Sequence, residues 1–201
     1  MKEFWNERFG GAEYFYGTTP NAFLASQAHL LKPGQFALSV ADGEGRNGVW
    51  LAEQGLDVLA VDFSGKALQK SRQLAESRGV SLQTELADLY NWNWGENRFD
   101  VIVAIFIQFA SSQQRPALHQ AIQRALKPGG LLLLQGYTPK QLEFKTGGPS
   151  NRDNLYNATD LQRDFAAMEI LQLREHEMAI SEGPGHSGMS ALVDLVARKA
   201  T

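Results

Sequence analysis

A glycine-rich segment, residues 43–48 with the sequence Gly-Glu-Gly-Arg-Asn-Gly, separates a short apolar run from a helical pattern. The apolar run, residues 36–41, predicts a first strand, and the helix that follows is predicted over residues 46–54. The glycines have G-x-G-x-x-G spacing, which permits a sharp turn and the close approach of a ligand. Such a loop favours a nucleotide-binding α/β fold, but alone it does not identify the ligand.

Further apolar runs alternate with helical patterns along the chain. Strands are predicted at residues 58–61, 80–85, 99–106 and 131–135. Strands that alternate with helices form right-handed crossovers in a parallel sheet covered on both faces. The sequence therefore predicts an α/β fold with a doubly wound, Rossmann-like, mostly parallel sheet.

The last quarter of the chain has a different pattern. A long polar loop, residues 137–157, precedes a short helix with a capping box formed by Thr159 and Gln162. Two β-like stretches follow at residues 169–180 and 191–198, which predicts a C-terminal antiparallel hairpin. A length of 201 residues favours a single domain, residues 1–201. Within it we expect an N-terminal helical lid or cap over residues 1–34 and a Rossmann-like core over residues 35–201.

Composition limits the partners of this chain. The formal net charge is −3 and the basic residues are scattered, which argues against nucleic-acid binding. No apolar stretch approaches ~18 residues, so no membrane span is expected. The chain has no cysteine and its N-terminus lacks a signal-peptide pattern, which favours a cytoplasmic protein. No metal site is expected, because histidines and carboxylates do not cluster, and the sequence does not reveal the oligomeric state.

Two carboxylates bracket the glycine loop. Asp62 ends the second predicted strand about 20 residues after the glycines, where an acidic side chain can hold ribose hydroxyls. This arrangement suits a dinucleotide as well as S-adenosylmethionine. Asp42, directly before the loop, favours the second, because a carboxylate would attract its positive charges and repel a pyrophosphate. An NAD-binding oxidoreductase and a non-catalytic sensor of an adenosyl ligand remain the alternatives.

The sequence resembles class I S-adenosylmethionine-dependent methyltransferases over almost its whole length. The motifs that carry the resemblance are Val40-Ala41-Asp42-Gly43-Glu44-Gly45-Arg46-Asn47, Val61-Asp62-Phe63-Ser64, Ala87-Asp88-Leu89, Phe99-Asp100-Val101-Ile102 and Leu126-Lys127-Pro128-Gly129-Gly130. Within the class, the chain is similar to small bacterial tellurite-resistance and thiopurine-type methyltransferases. The shared features are Gly45-Arg46-Asn47, Tyr16-Gly17, Pro20-Asn21 and Gly147-Gly148-Pro149.

This resemblance implies S-adenosyl-L-methionine as the cofactor. Asp62 would bind the ribose hydroxyls, Phe63 would pack on the adenine, and Asp88 would accept from the adenine amino group. The residues expected to bind the cofactor are Asp42, Gly43, Gly45, Asn47, Asp62, Phe63, Ala87, Asp88, Leu89 and Phe106.

The expected reaction is methyl transfer to a small molecule by in-line displacement. Positioning supplies most of the catalysis because the sulfonium is already activated, and a base is needed only for a protonated acceptor. Soft sulfur, selenium or tellurium nucleophiles would need none. His186 is the candidate base, with an exposed loop histidine as the alternative interpretation. The residues expected to contact the substrate are Tyr16, Gln108, Tyr137, Arg152 and Glu182.

Overall fold

The computed structural model describes residues 2–201, without the side chains of Lys2 and Phe4. Met1, the first residue of the predicted cap, lies outside the described residues. The described part forms two compact units. The first unit contains the described residues up to Trp92 together with Glu182–Gly185, and the second contains Asn93–Ser181 and His186–Thr201. The single-domain organisation with a cap over residues 1–34 stays a prediction.

The first unit has four helices and three strands. They are α1 (Lys2–Arg8), α2 (Ala22–Ser26), β1 (Phe36–Val40), α3 (Arg46–Glu53), β2 (Asp57–Asp62), α4 (Gly65–Ser77) and β3 (Gln83–Leu86). The second unit has four strands and three helices. They are β4 (Phe99–Ile105), α5 (Arg115–Ala125), β5 (Leu126–Tyr137), α6 (Gln141–Phe144), α7 (Ala158–Asp164), β6 (Met168–Ser181) and β7 (Ser187–Lys199). Short 3-10 turns lie at Ala28–Leu30 and Arg152–Asn154.

The strands form a sheet in the order β3-β2-β1-β4-β5-β7-β6. In the first unit β1, β2 and β3 are parallel. In the second unit β4 is parallel to β5, and β7 is antiparallel to both β5 and β6. The sheet confirms the predicted α/β fold with a mostly parallel sheet and a C-terminal antiparallel hairpin.

β1 and β2 are the buried strands of the first unit. Residues 37–40 of β1 and 58–62 of β2 are all buried, as expected for parallel strands covered on both faces. The helix after β2 begins at a true cap, because the Ser64 side chain accepts a hydrogen bond from the backbone N–H of Ala67 at 3.2 Å. As a result, the carboxyl ends of β1 and β2 are fixed where Asp42 and Asp62 lie.

Several predicted boundaries were wrong. The last parallel strand was predicted to begin at residue 131, yet α5 ends at Ala125 and β5 already begins at Leu126. Proline disfavours helical geometry at the residue before it, so the helix ends earlier. The predicted capping box at Thr159 is replaced by Asn157, whose side chain accepts from the N–H of Asp160 at 2.8 Å. The hairpin strands are also longer than predicted, at 14 and 13 residues.

His119 on α5 is a fully buried histidine of the second unit. Its Nδ1 lies 2.9 Å from Oδ2 of Asp164 on α7, and its ring packs against Phe165 with centroids 4.7 Å apart. Within residues 2–201 no group bonds to its Nε2. Burial lowers the pKa of His119 below its ordinary value of 6.5, and the Asp164 carboxylate opposes this effect. The ring is therefore neutral at neutral pH.

This neutral histidine predicts a loss of stability in mild acid. The folded-state pKa of His119 is lowered, so its contribution to the free energy of unfolding is complete above about pH 6.5 and is lost as the pH falls toward that lowered pKa. Urea unfolding at about pH 5.5 and about pH 7.5 checks this. The wild type should lose more stability over the interval than His119→Gln. The exposed His29→Gln is the control, and equal losses in wild type and His119→Gln would contradict the prediction.

Candidate functional site

Gly43 and Gly45 occupy left-handed backbone conformations, with φ of 61° and 96°. A side chain at Gly45 would place its Cβ 2.5 Å from Oγ and 2.7 Å from Cα of Ser71 on α4. Only glycine lets this loop lie against α4 with a positive φ. The sequence pattern predicted this requirement, and the structure gives its physical reason.

A strained residue follows β1, because Ala41 has a φ of 49° without being glycine. Directly after it, the Asp42 carboxylate turns inward. Its Oδ1 accepts from the Ser39 hydroxyl at 2.6 Å and from the Gly48 N–H at 2.9 Å. Burial raises the pKa of Asp42 to about 7. Oδ2 is buried and has no hydrogen-bond partner among residues 2–201. Asp42 is therefore a buried acceptor with one free oxygen beside the glycine loop.

Asp62 connects the end of β2 to the glycine loop. Its carboxylate accepts from the Gly43 N–H at 2.9 Å and from the Ser64 N–H at 2.8 Å. Its own carbonyl accepts from the N–H of Ala87 at 2.9 Å, which brings the segment after β3 to the same place. Burial raises the pKa of Asp62, and its backbone hydrogen bonds oppose this. The structure thus brings Asp62, Gly43 and Ala87 together as predicted cofactor residues.

The remaining residues predicted to contact the adenine differ in their solvent exposure. Phe63 is half-buried and Leu89 is buried. Asp88 is exposed, and its carboxylate accepts from the Tyr90 N–H at 3.2 Å and from Asn91 Nδ2 at 2.9 Å. This pattern is that of an Asx turn. The adenine role of Asp88 stays a prediction.

Glu44, between the two glycines, contacts the N-terminal segment. Its buried carboxylate accepts from the Phe15 N–H at 2.7 Å and forms an ion pair with Lys70 Nζ at 2.7 Å. Lys70 Nζ also donates to the Glu13 carbonyl at 2.7 Å. The ion pair joins the loop to α4, and the other two bonds join Phe15 to the loop and Glu13 to α4. The aromatic N-terminal segment is therefore fastened to the glycine loop.

Arg46 and Asn47 make a second set of contacts, Arg46 with Glu182 and Asn47 with Asn21. Arg46 Nη2 lies 2.7 Å from Oε2 of Glu182. Glu182 Oε1 accepts from Asn21 Nδ2 at 2.9 Å, and Asn47 Oδ1 accepts from the Asn21 N–H at 2.9 Å. The tip of the C-terminal hairpin also packs tightly here, because a Cβ at Gly183 would lie 2.6 Å from the backbone of Tyr16. Glu182 and Asn47 thus have protein partners, and their predicted ligand contacts stay predictions.

In the second unit, three predicted residues form an aromatic cluster. The Phe106 ring stacks on Tyr137 with centroids 4.6 Å apart, and His186 meets Phe106 edge-on at 4.5 Å. Tyr137 and His186 are buried, with 1% and 7% exposure. Phe106 follows β4 with a φ of 55°, a strained conformation for a non-glycine residue. His186 is therefore not the exposed loop histidine that the alternative interpretation expected.

Gln108 and Arg152 are the other substrate candidates of the second unit. Gln108 Nε2 donates to the Tyr137 carbonyl at 2.8 Å, and its Oε1 accepts from the Tyr137 N–H at 2.6 Å. These bonds give Gln108 a clear structural role beside the aromatic cluster. Arg152 is exposed in the 3-10 turn. Substrate contacts of both residues stay predictions.

The sequence pattern did not single out two charged residues of the loop, Glu44 and Arg46. Both are buried, with 3% and 7% exposure. The sequence did contain a signal, namely two charged residues within a glycine-rich turn. A charged side chain that becomes buried in such a turn needs a partner of opposite charge or a hydrogen bond. Their partners lie far away in sequence, at residues 13–15 and 182, so the pattern alone did not identify them.

No cluster of three or more His, Asp or Glu side chains arranged for a metal ion occurs in residues 2–201. Over the same residues, no helix has the length and hydropathy needed to cross a membrane.

Residues 37–130 match the family described as "Methyltransferase domain". Phosphoethanolamine N-methyltransferase 3 of Arabidopsis thaliana is 33% identical over 108 residues. That match covers 53% of this chain and 22% of the plant enzyme, so the chain spans only a small part of such relatives.

Solved structures share the fold. The protein described under "Conversion of a Disulfide Bond into a Thioacetal Group during Echinomycin Biosynthesis" has a TM-score of 0.80 and 20% identity, covering 100% of this chain and 92% of that chain. TehB from Haemophilus influenzae has a TM-score of 0.71 and 16% identity, covering 98% and 66%. N-methyltransferase NodS from Bradyrhizobium japonicum, solved with S-adenosyl-l-homocysteine, has a TM-score of 0.73 and 13% identity, covering 100% and 98%.

The fit between the glycine loop and α4 yields a stability prediction. Gly45→Ala should lower the free energy of unfolding by about 1–3 kcal/mol, because its methyl group would overlap Ser71 at a positive φ. Gly65→Ala is the matched control, since a Cβ there meets nothing within 4 Å. Urea unfolding of both variants measures the difference. Equal stability of the two variants would show that the loop adapts without cost.

Proposed function

The chain carries a class I S-adenosylmethionine-dependent methyltransferase domain, and we propose from this premise that it methylates a small-molecule acceptor. The observation that carries the proposal is the glycine loop bracketed by two buried carboxylates, Asp42 and Asp62. A buried acceptor with a free oxygen, Asp42 Oδ2, fits a ligand that carries positive charge. The anionic pyrophosphate of a dinucleotide fits it poorly.

The first unit provides the groups proposed to hold the methyl donor. When bound, S-adenosylmethionine supplies an activated methyl group on a cationic sulfur. Asp62 would accept the ribose hydroxyls, while Asp42 and the two loop glycines would lie at the methionine end. Asn47, Phe63, Ala87, Asp88 and Leu89 complete this proposed set, and Phe106, a residue of the second unit, stays a proposed cofactor residue. The protein contributes orientation and exclusion of water, which suffice for displacement at an activated carbon.

The acceptor proposed first is a soft sulfur, selenium or tellurium nucleophile. The structural neighbour with the TM-score of 0.80 is described with a reaction at a disulfide, which supports sulfur chemistry. An amine is the second candidate, because the plant relative and NodS are named as N-methyltransferases. We also propose that the acceptor is reached in the cytoplasm and that no nucleic acid or membrane takes part.

His186 is the proposed general base for acceptors that arrive protonated. Its ring is held by Phe106 and Tyr137, which fixes its orientation. Tyr16, Gln108, Tyr137, Arg152 and Glu182 remain the proposed acceptor contacts. A thiolate or oxyanion of a soft element needs no base, so the role of His186 depends on the acceptor.

Binding of the methyl donor should depend on pH through Asp42. Its pKa of about 7 leaves the carboxyl partly protonated at neutrality. A cationic ligand binds the ionised form better, so binding lowers this pKa and releases protons. The affinity for S-adenosylmethionine should therefore rise between about pH 6 and about pH 8. Calorimetry in buffers of different ionisation enthalpy measures both effects.

Asp42→Asn should remove this pH dependence, whereas Asp57→Asn, at the exposed start of β2, should keep it. A wild type that binds NADH but not S-adenosylmethionine would support the oxidoreductase alternative instead. Donor binding without turnover on any acceptor would support the sensor alternative.

The acceptor class is tested by measuring S-adenosylhomocysteine formation with thiols, selenite, tellurite and small amines. For protonated thiols or amines, His186→Ala should lower turnover roughly 100-fold or more, while leaving turnover of soft anions nearly unchanged. The exposed His29→Ala is the control. If His186→Ala lowers turnover of every acceptor equally, its role is packing rather than proton transfer.

A further inference from the structure

Residues 145–149 of the second unit, with the sequence Lys-Thr-Gly-Gly-Pro, form an irregular loop after α6. The backbone lies in the left-handed region at Lys145, Gly147 and Gly148, with φ of 58°, 131° and 84°. Both glycines are exposed. A left-handed backbone neither continues a helix nor pairs as a strand, so the position of this loop depends on side-chain contacts.

The 145–149 loop covers the ring of Tyr137. A Cβ at Gly148 would lie 2.7 Å from Cδ2 and 3.1 Å from Cε2 of that ring, so only a glycine can lie this close. Thr146 packs against β7 in the same way, because a Cβ at Gly188 would lie 2.6 Å from its Cγ2. Tyr137 is 1% exposed, although it is a proposed acceptor contact. An acceptor that uses this ring therefore needs part of its cover to move.

Gln141, the first residue of α6, holds the loop in place and is 1% exposed. Its Nε2 donates to Thr146 Oγ1 at 2.9 Å and to the Gly147 carbonyl at 3.1 Å. Its Oε1 accepts from the Ala191 N–H at 2.9 Å. Thr146 Oγ1 in turn donates to the Met189 carbonyl at 2.5 Å. One buried glutamine thus fastens the loop to β7, through hydrogen bonds that each add little net stability.

The side chains that pack around Tyr137 are apolar or aromatic. They are Leu155, Ile180, Leu192, Phe106 and Leu142. An acceptor with an apolar carbon skeleton can replace the contact that Gly148 makes with the ring, because burying apolar surface is favourable. An inorganic oxyanion would instead exchange its water for apolar surroundings, which is costly.

We propose that the 145–149 loop is a gate that Gln141 holds shut, and that an organic acceptor with an apolar skeleton takes the place of Gly148 on the Tyr137 ring. This inference rests on the proposed function, because it concerns the acceptor. Gln141 is a positioning residue, since it acts through the loop. Opening the gate also uncovers Cε2 of Tyr137, so the movement can be measured without turnover.

Nitration by tetranitromethane reports on the gate in the absence of donor and acceptor. The reagent attacks tyrosine at Cε, and Gly148 covers one such carbon of Tyr137. Gln141→Ala should speed the nitration of Tyr137 roughly 10- to 100-fold, because hydrogen bonds that keep the gate shut are lost. Tyr90, which is 46% exposed, and the fully buried Tyr156 are internal references whose rates should not change. Mass spectrometry of peptides gives each rate.

Thr146→Val separates an opened gate from a loss of folding. It removes the hydroxyl that joins the loop to β7 but leaves the bond between Gln141 and β7 in place. Tyr137 should again be nitrated faster than in the wild type. An unchanged rate at Tyr137 in either variant would overturn the inference. An equal rise at Tyr156 would overturn it as well, because it would show a general loosening of the second unit.

The matched control is Gln123→Ala. Gln123 also ties two elements of the second unit together, since its Nε2 donates to the Asp164 carbonyl at 3.0 Å and thereby joins α5 to α7. The rate at Tyr137 should stay as in the wild type. A rise as large as that in Gln141→Ala would contradict a specific role of Gln141.

Two acceptors that share the reacting atom and differ in the carbon skeleton test the acceptor class. They are 1-butanethiol and hydrosulfide, or 1-butylamine and ammonia if amines are the acceptors. The butyl compound should have a kcat/KM roughly 10-fold higher or more, and equal values would overturn the apolar acceptor class. Gln141→Ala should lower the KM of the butyl compound, because more of the protein is open before binding. A raised KM would overturn the gate.

A wild type without turnover on any acceptor would overturn the proposed function. The nitration rates would then still decide whether the 145–149 loop is a gate over Tyr137.

Discussion

The carboxylate of Asp62 is the contact on which the geometry of the first unit depends. It accepts hydrogen bonds from Gly43 in the glycine loop and from Ser64, the cap of α4. One buried side chain therefore fixes the end of β2, the start of the loop and the start of a helix. Burial raises the pKa of this carboxyl, and the same backbone donors oppose that rise. The loop that would hold the methyl donor is thereby preorganised.

The polar residues of the glycine loop divide into two roles. Glu44 and Asn47 face the N-terminal segment and fasten residues 13–21 to the loop. Asp42 and Arg46 each keep one buried atom without a partner among residues 2–201. The first pair holds the N-terminal segment against the loop. The second pair leaves one carboxylate oxygen and one guanidinium nitrogen of the loop without a hydrogen bond in that part of the chain. This difference between the two pairs lies in side chains at positions that a glycine pattern alone leaves unspecified.

Periodicity and motif spacing were enough to predict the sheet, the loop and the class of protein. Such features are local, because alternating burial and glycine requirements appear in the sequence itself. The partners of Arg46 and Glu44 were missed because they come from distant segments, which only folding brings together. Pro128 limits α5 in a way that the sequence shows, but the tertiary hydrogen bond from the Arg98 N–H to the Ala125 carbonyl at 2.8 Å, which also lies at this boundary, is not visible in the sequence. The acceptor is not encoded in any local pattern of this chain.

The hairpin tip has a consequence for how the chain folds. Asn21 and Glu182 bond to each other across 161 residues of sequence. Closing so large a loop costs entropy that is recovered only after most of the chain is ordered, so this contact forms late. Interactions absent from the transition state govern the unfolding rate more than the folding rate. The contact between Asn21 and Glu182 therefore lowers the unfolding rate of the protein more than it raises the folding rate.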